Sequence, residues 1–170
     1  MLRTPDSFRP ALDIALHDEA VVHLFARDAL VQTLDEPKPL RWRTLRRFGF
    51  EPGRVQPIGR HEGVDHVAVA LPDDHPAERL PDGWRAAGLR HWFGMLDDQT
   101  LAIAMRGVQM LEWDRTHRYC GACGTLTAQA GHERAKRCPS CGLVVYPRIS
   151  PAMMVLVTRG AVLLLGRGVA

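Results

Sequence analysis

Charge of one sign is scarce in this sequence. Its 22 lysines and arginines against 19 acidic residues leave a formal net charge of +3, with no block of like charges. The electrostatic case for a nucleic-acid binder is therefore weak. Long apolar runs are missing as well. The longest strongly apolar one, residues 161–165, is far too short to span a bilayer. The first ten residues, Met-Leu-Arg-Thr-Pro-Asp-Ser-Phe-Arg-Pro, hold no apolar stretch of signal-peptide length. These absences point to a soluble, cytoplasmic chain with no membrane partner. Cysteine is limited to four residues in two close pairs. In a reducing cytosol that pattern indicates a metal site rather than disulfides.

What is present is ordinary for a globular protein. The chain has 170 residues, 46% hydrophobic and 24% charged, which is not the composition of a disordered chain. That length allows one or two small domains. Domains below roughly 80 residues have thin cores and usually need a staple such as a metal.

Residues 1–87 read as a small β-rich domain and linker. Compact apolar runs at 21–25, 29–32 and 64–71 are separated by turns, and Pro37, Pro39, Pro52 and Pro57 break any long helix. No catalytic constellation is visible there. His61, Glu62, Asp65 and His66 read as a polar loop, since adjacent residues of a strand face opposite ways. Residues 72–87, rich in proline and charge, read as a connecting loop. Connecting helices are expected over 88–118. Asp98 is the candidate N-cap, and Leu101, Ala104, Met105, Val108 and Leu111 recur at helical spacing. Trp84, Trp92 and Trp113 are expected to seal this region against its neighbours. Residues 152–158 and 161–165 flank Arg159-Gly160 as a hairpin, apolar on both faces and so expected inside something larger.

The strongest signal is Cys120-Gly-Ala-Cys123-Gly124 and Cys138-Pro-Ser-Cys141-Gly142, with fourteen residues between Cys123 and Cys138. Two Cys-x-x-Cys turns can set four thiolates in a tetrahedron around one zinc ion. Glycine after each pair suits a tight turn. With all four positions supplied by protein, the site is closed and structural. Iron is the main competitor, and redox-active cysteine pairs come third. His117 and His132 flank the ribbon, but the four thiolates already complete the shell.

The surroundings go further. Trp113-Asp-Arg-Thr-His117-Arg-Tyr119 leads into the first pair, and Tyr146-Pro147-Arg148-Ile149-Ser150-Pro151 follows the second. With the two apolar strands after it, this resembles the NADH pyrophosphatase family of the Nudix hydrolase superfamily. The resemblance implies an α+β chain: the β-rich N-terminal domain, the helix, a zinc ribbon over 119–147, and from 148 to 170 the opening hairpin of a Nudix domain. It implies hydrolysis of NADH or NAD⁺ to nicotinamide mononucleotide and AMP, removal of NAD caps from RNA, Mg²⁺ or Mn²⁺ as catalytic ions, and a homodimer. The implied substrate contacts are Glu133, Tyr146 and Arg90. Without the family these would be a solvated charge, a seam residue and a surface arginine. The sequence also departs from the family. No glycine has a glutamate six positions later, so the Nudix box Gly-x5-Glu-x7-Arg-Glu-x2-Glu-Glu-x-Gly is not in it, nor is Ser-Gln-Pro-Trp-Pro-Phe-Pro. The expectation is a truncated chain, inactive alone, with no catalytic carboxylates of its own.

Two other classes compete: a ribbon that binds nucleic acid or a protein partner, and a rubredoxin-like electron carrier. Against the first, the ribbon lacks aromatics interleaved with a basic stripe. Colour tests the second. A zinc-thiolate chain is colourless, and visible thiolate-to-iron absorption in the purified protein would replace zinc with iron.

Overall fold

A computed structural model describes residues 3–72, 80–148 and 155–164. Its centre is the pairing of two apolar strands, β2 (Val21–Ala26) and β6 (Val64–Ala70), in parallel, with Val21 opposite His66 and Phe25 opposite Ala70. Around them β1 (Arg9–Pro10), β3 (Ala29–Thr33), β5 (Arg54–His61) and β7 (Trp84–Ala87) complete the order β1-β5-β6-β2-β3-β7, and β4 (Leu40–Arg41) also pairs with β2. Every other pairing in this sheet is antiparallel.

Successive side chains of a strand face opposite ways, so strands covered on both faces read as near-continuous apolar runs. That is the case here. Val22, Leu24, Val67 and Val69 point to one face, where Trp42 and Leu45 of helix α1 (Trp42–Arg47) cover them. Phe25, Ala68 and Ala70 point to the other, against helix α2 (Asp98–Thr116). The result is an α+β arrangement of three layers with a core on each side of the sheet. Helix α2 comes close to the sheet because of Gly107. A Cβ there would lie 3.0 Å from Ile58 Cδ1 and 3.1 Å from Ala68 Cβ.

Four expectations change in detail. The cap of α2 is Asp97, whose Oδ1 accepts from the Thr100 amide at 2.8 Å; Asp98 lies in the first turn, where a carboxylate meets the positive helix end. Residues 84–87 are an edge strand on β3 rather than loop. Their Trp-Arg-Ala-Ala sequence has weak strand character, and Trp84 is held by Phe48 and Phe50, ring centroids 5.2 and 5.3 Å away. His61, Glu62, Asp65 and His66 are not a loop but the end of the β5–β6 hairpin. Glu62 and Gly63 turn it at φ 50° and 76°, the positive values a tight hairpin turn requires. Finally, β11 (Thr158–Arg159) and β12 (Val162–Leu163) do form a hairpin, but all of 155–164 is exposed. The remainder of both expected strands, 152–154 and 165, lies outside the described residues.

The N-terminal segment is tied down by charge. Arg60 holds both oxygens of Asp13 at 3.1 Å and Asp65 Oδ1 at 2.8 Å, and His17 Nε2 meets the other Asp65 oxygen at 3.0 Å. Behind this edge, His23 is fully buried, with Nε2 3.1 Å from His66 Nδ1 and the rings stacked 5.4 Å apart. Burial first, then the neighbouring His66, push His23 down to about 3; burial and His61 push His66 down to about 4.

Unfolded histidines protonate near about 6.5, so between there and the depressed folded values the unfolded chain binds more protons. The stabilisation is complete above pH 6.5 and falls with acidification, by up to about 1.4 kcal/mol per pH unit for each histidine. Tm should therefore drop from pH 7.5 to 5, and less steeply in His23→Leu. Equal slopes would remove the pair from the acid response.

Candidate functional site

Helix α2 delivers the chain directly into the cysteine site. His117 caps its end through its backbone amide, and its Nδ1 donates to the Trp113 carbonyl at 2.9 Å. Two matching turns follow. Gly124 N–H donates to Cys120 O at 2.9 Å and Gly142 N–H to Cys138 O at 3.1 Å. Both glycines sit at positive φ, 74° and 78°, where a Cβ would be strained. Each turn aims an amide at a sulfur: Ala122 N–H at Cys120 Sγ and Cys141 N–H at Cys138 Sγ, both 3.4 Å. Three short strands, β8 (Ala128–Gln129), β9 (Lys136–Arg137) and β10 (Val144–Val145), hold the turns together in the order β10-β9-β8.

The four sulfurs lie within 4.8 Å of one another, with Cys120–Cys141 and Cys123–Cys138 at 3.5 Å. A tetrahedron with zinc–sulfur bonds of about 2.3 Å has edges of about 3.8 Å, so the cluster fits the ion. The amide contacts support the thiolates from outside. His117 is engaged with the helix, and His132 Nε2 lies 3.8 Å from Glu133, so neither serves the cluster.

The ribbon is fastened to the sheet domain by two cations. Lys136 is only 6% exposed; its Nζ donates to Asp114 O at 2.7 Å and to Asp114 Oδ1 at 2.8 Å, and sits 5.7 Å from the Trp113 ring centroid. A buried ammonium needs such pairing. Arg134 donates to the Ala11 carbonyl at 3.1 Å, reaching the N-terminal segment. Neither role is visible in the sequence, because a cationic stretch reads as solvated until its long-range partners are known.

Of the three expected substrate contacts, two come together. Tyr146 Oη donates to Glu133 Oε2 at 3.0 Å, across the ribbon. Accepting that bond, the carboxylate raises the phenol above its ordinary value. Tyr146 remains 54% exposed, so its ring is open to a partner. Arg90 lies apart, exposed on a 3-10 turn (Leu89–Trp92), and its guanidinium bonds neither residue. That turn is pinned by Trp92, fully buried, whose Nε1 donates to Leu30 O at 3.2 Å and Ala87 O at 3.3 Å.

These features define a zinc-ribbon protein built onto a Nudix-like sheet domain. Residues 115–146 match the NADH pyrophosphatase zinc ribbon domain, and residues 54–113 match the NADH pyrophosphatase-like rudimentary NUDIX domain. The chain belongs to the NADH pyrophosphatase family of the Nudix superfamily. Three similar proteins are each called NAD-capped RNA hydrolase NudC. The one from Stutzerimonas stutzeri is 44% identical over 149 residues, 87% of this chain and 51% of its own length. That of Pseudomonas fluorescens is 46% identical over 119 residues, 68% and 42% respectively. That of Deinococcus radiodurans is 49% identical over 80 residues, 47% and 29% respectively. The chain thus spans about half or less of the length of the relatives it matches. The family match also begins at residue 54, well before the motifs that start at Trp113.

Zinc removal, or Cys123→Ala, should disorder the ribbon and leave the sheet folded. The check is amide exchange: rapid exchange confined to 119–147 is the expected pattern. Unchanged near-UV dichroism after complete zinc removal would contradict it.

Proposed function

We propose that this chain carries the ribbon and part of the substrate grip of an NAD(H) diphosphatase. The reaction is hydrolysis of NADH or NAD⁺ to nicotinamide mononucleotide and AMP, and release of the same group from NAD-capped RNA. The observation that carries the reading is the Tyr146–Glu133 pair on a ribbon of this family. An exposed phenol ring offers a face for a base to stack on. The carboxylate beside it accepts hydrogen bonds from an amino or ribose hydroxyl group. Arg90 is the third contact, supplying charge to the diphosphate.

Catalysis is assigned elsewhere. Mg²⁺ or Mn²⁺ needs clustered oxygen ligands, and among the described residues the one metal-ligating cluster is the four cysteines. The carboxylates of a Nudix box are not among these 170 residues. The reading therefore makes the 170-residue chain inactive by itself, and the working enzyme a cytoplasmic homodimer that includes that box. No helix among the described residues is long and apolar enough to cross a membrane.

Two assays test this. The 170-residue chain with Mg²⁺ or Mn²⁺ should not turn over NADH; turnover would overturn the assignment of catalysis. In protein that includes the Nudix box, Glu133→Ala and Tyr146→Ala should each lower kcat/KM for NADH at least about tenfold, a loss of about 1.4 kcal/mol in transition-state binding. Unaltered kinetics would remove both residues from the site.

A further inference from the structure

A cleft of about 760 Å³ opens where residues 10–13 meet α2 and the ribbon. Arg60, Arg106 and Arg134 supply its positive charge, His132 also lines it, and Asp13 is the one carboxylate in its lining. Asp13 is taken: both its oxygens are on Arg60. Glu133 neighbours Arg134 in sequence, but its Oε2 is held by Tyr146. Arg106 and Arg134 share the cleft, and neither has a carboxylate partner among the described residues.

Both have donors to spare. Arg106 Nε is buried without a hydrogen-bond partner among the described residues, while its guanidinium lies over the Phe8 ring, 6.0 Å from the centroid. Arg134 spends one N–H on Ala11 O. Burial, then the charge of Arg106, hold its guanidinium below its ordinary value. Two like charges half-buried in one cleft call for a counter-ion.

We propose that this cleft is an anion site in which Arg106 and Arg134 grip one doubly charged phosphate group, inorganic or the terminal monoester of a nucleotide. A guanidinium fork matches two phosphate oxygens at once. Two cations select a dianion; a carboxylate or a phosphodiester brings only one charge. The site is separate from the Tyr146–Glu133 pair and holds no reacting bond.

The test uses the zinc-loaded chain and three probes: inorganic phosphate, AMP, and a four-nucleotide RNA with a 5′-hydroxyl, which carries diesters only. Affinity is read by calorimetry and by the Arg106 Nε–H resonance. Phosphate and AMP should bind, shift that resonance and raise Tm, and the RNA should not compete. Arg134→Gln and Arg106→Lys should each weaken phosphate at least about tenfold, whereas Arg159→Gln, on the exposed hairpin, should not change it. Without anion, Arg134→Gln should change Tm little, because relief of the repulsion offsets the lost bond to Ala11. If that variant fails to fold, Arg134→Lys, which keeps the charge and loses the fork, gives the same reading. Equal affinity in wild type and variants, equal weakening by Arg159→Gln, or preference for the RNA would each overturn the proposal. None of these readouts depends on NADH turnover, so a failed diphosphatase assay leaves this result standing and the reverse holds too.

Discussion

Everything beyond α2 depends on the convergence of four sulfurs. Between residues 119 and 147 the buried apolar residues are Cys120, Ala135 and Cys138. So small a set cannot offset the backbone entropy of ordering nearly thirty residues, which costs about 1–2 kcal/mol for each. The strands β8, β9 and β10 are two residues long apiece and carry no core of their own. Zinc–thiolate bonds supply what burial does not. Tyr146 and Glu133 meet only because the ribbon closes, so a structural ion sets the geometry of a ligand-facing pair.

The sheet domain is stabilised in a different way. Both faces are covered, and the strands at its centre are accordingly apolar throughout. Two of its buried polar side chains have clear partners: Trp92 Nε1 bonds two carbonyls, and His23 Nε2 meets His66. The two parts are joined by few contacts, and those few are specific. Lys136 is a cation that the ribbon inserts beside Trp113, where only Asp114 answers its charge. Removing one partner of such a buried pair is far more damaging than never having had it.

Sequence showed local information well and distant information poorly. The cysteine spacing located the metal site, and the runs containing Val22, Phe25, Leu30 and Val67 located their strands, because period and composition are local properties. The start of α2 was misplaced by one residue because Asp97 and Asp98 are both good caps, and the choice lies in backbone angles. The strand at Trp84 and the hairpin at His61–His66 were missed for one reason. Their residues are ordinary loop residues, and pairing with β3 and β6 makes them strands. The same holds for the site: Glu133 and Tyr146 were visible through family motifs, whereas Arg134 with Ala11 and Arg106 with Phe8 join residues far apart in the chain.

The parallel pairing of β2 with β6 has a consequence for how the molecule is made. A hairpin can close as soon as its turn leaves the ribosome, but β2 must wait until Val64–Ala70 has been synthesised. Meanwhile Val22, Leu24 and Phe25 have only β3 and β4 for company. An open apolar strand edge is a site for pairing with the wrong neighbour. Nascent chains of this protein are thus most vulnerable during translation of the α1 and β5 segments. The vulnerability ends with a strand made long before the first metal ligand. The sheet domain can therefore mature without zinc, and metal supply governs the ribbon made after it.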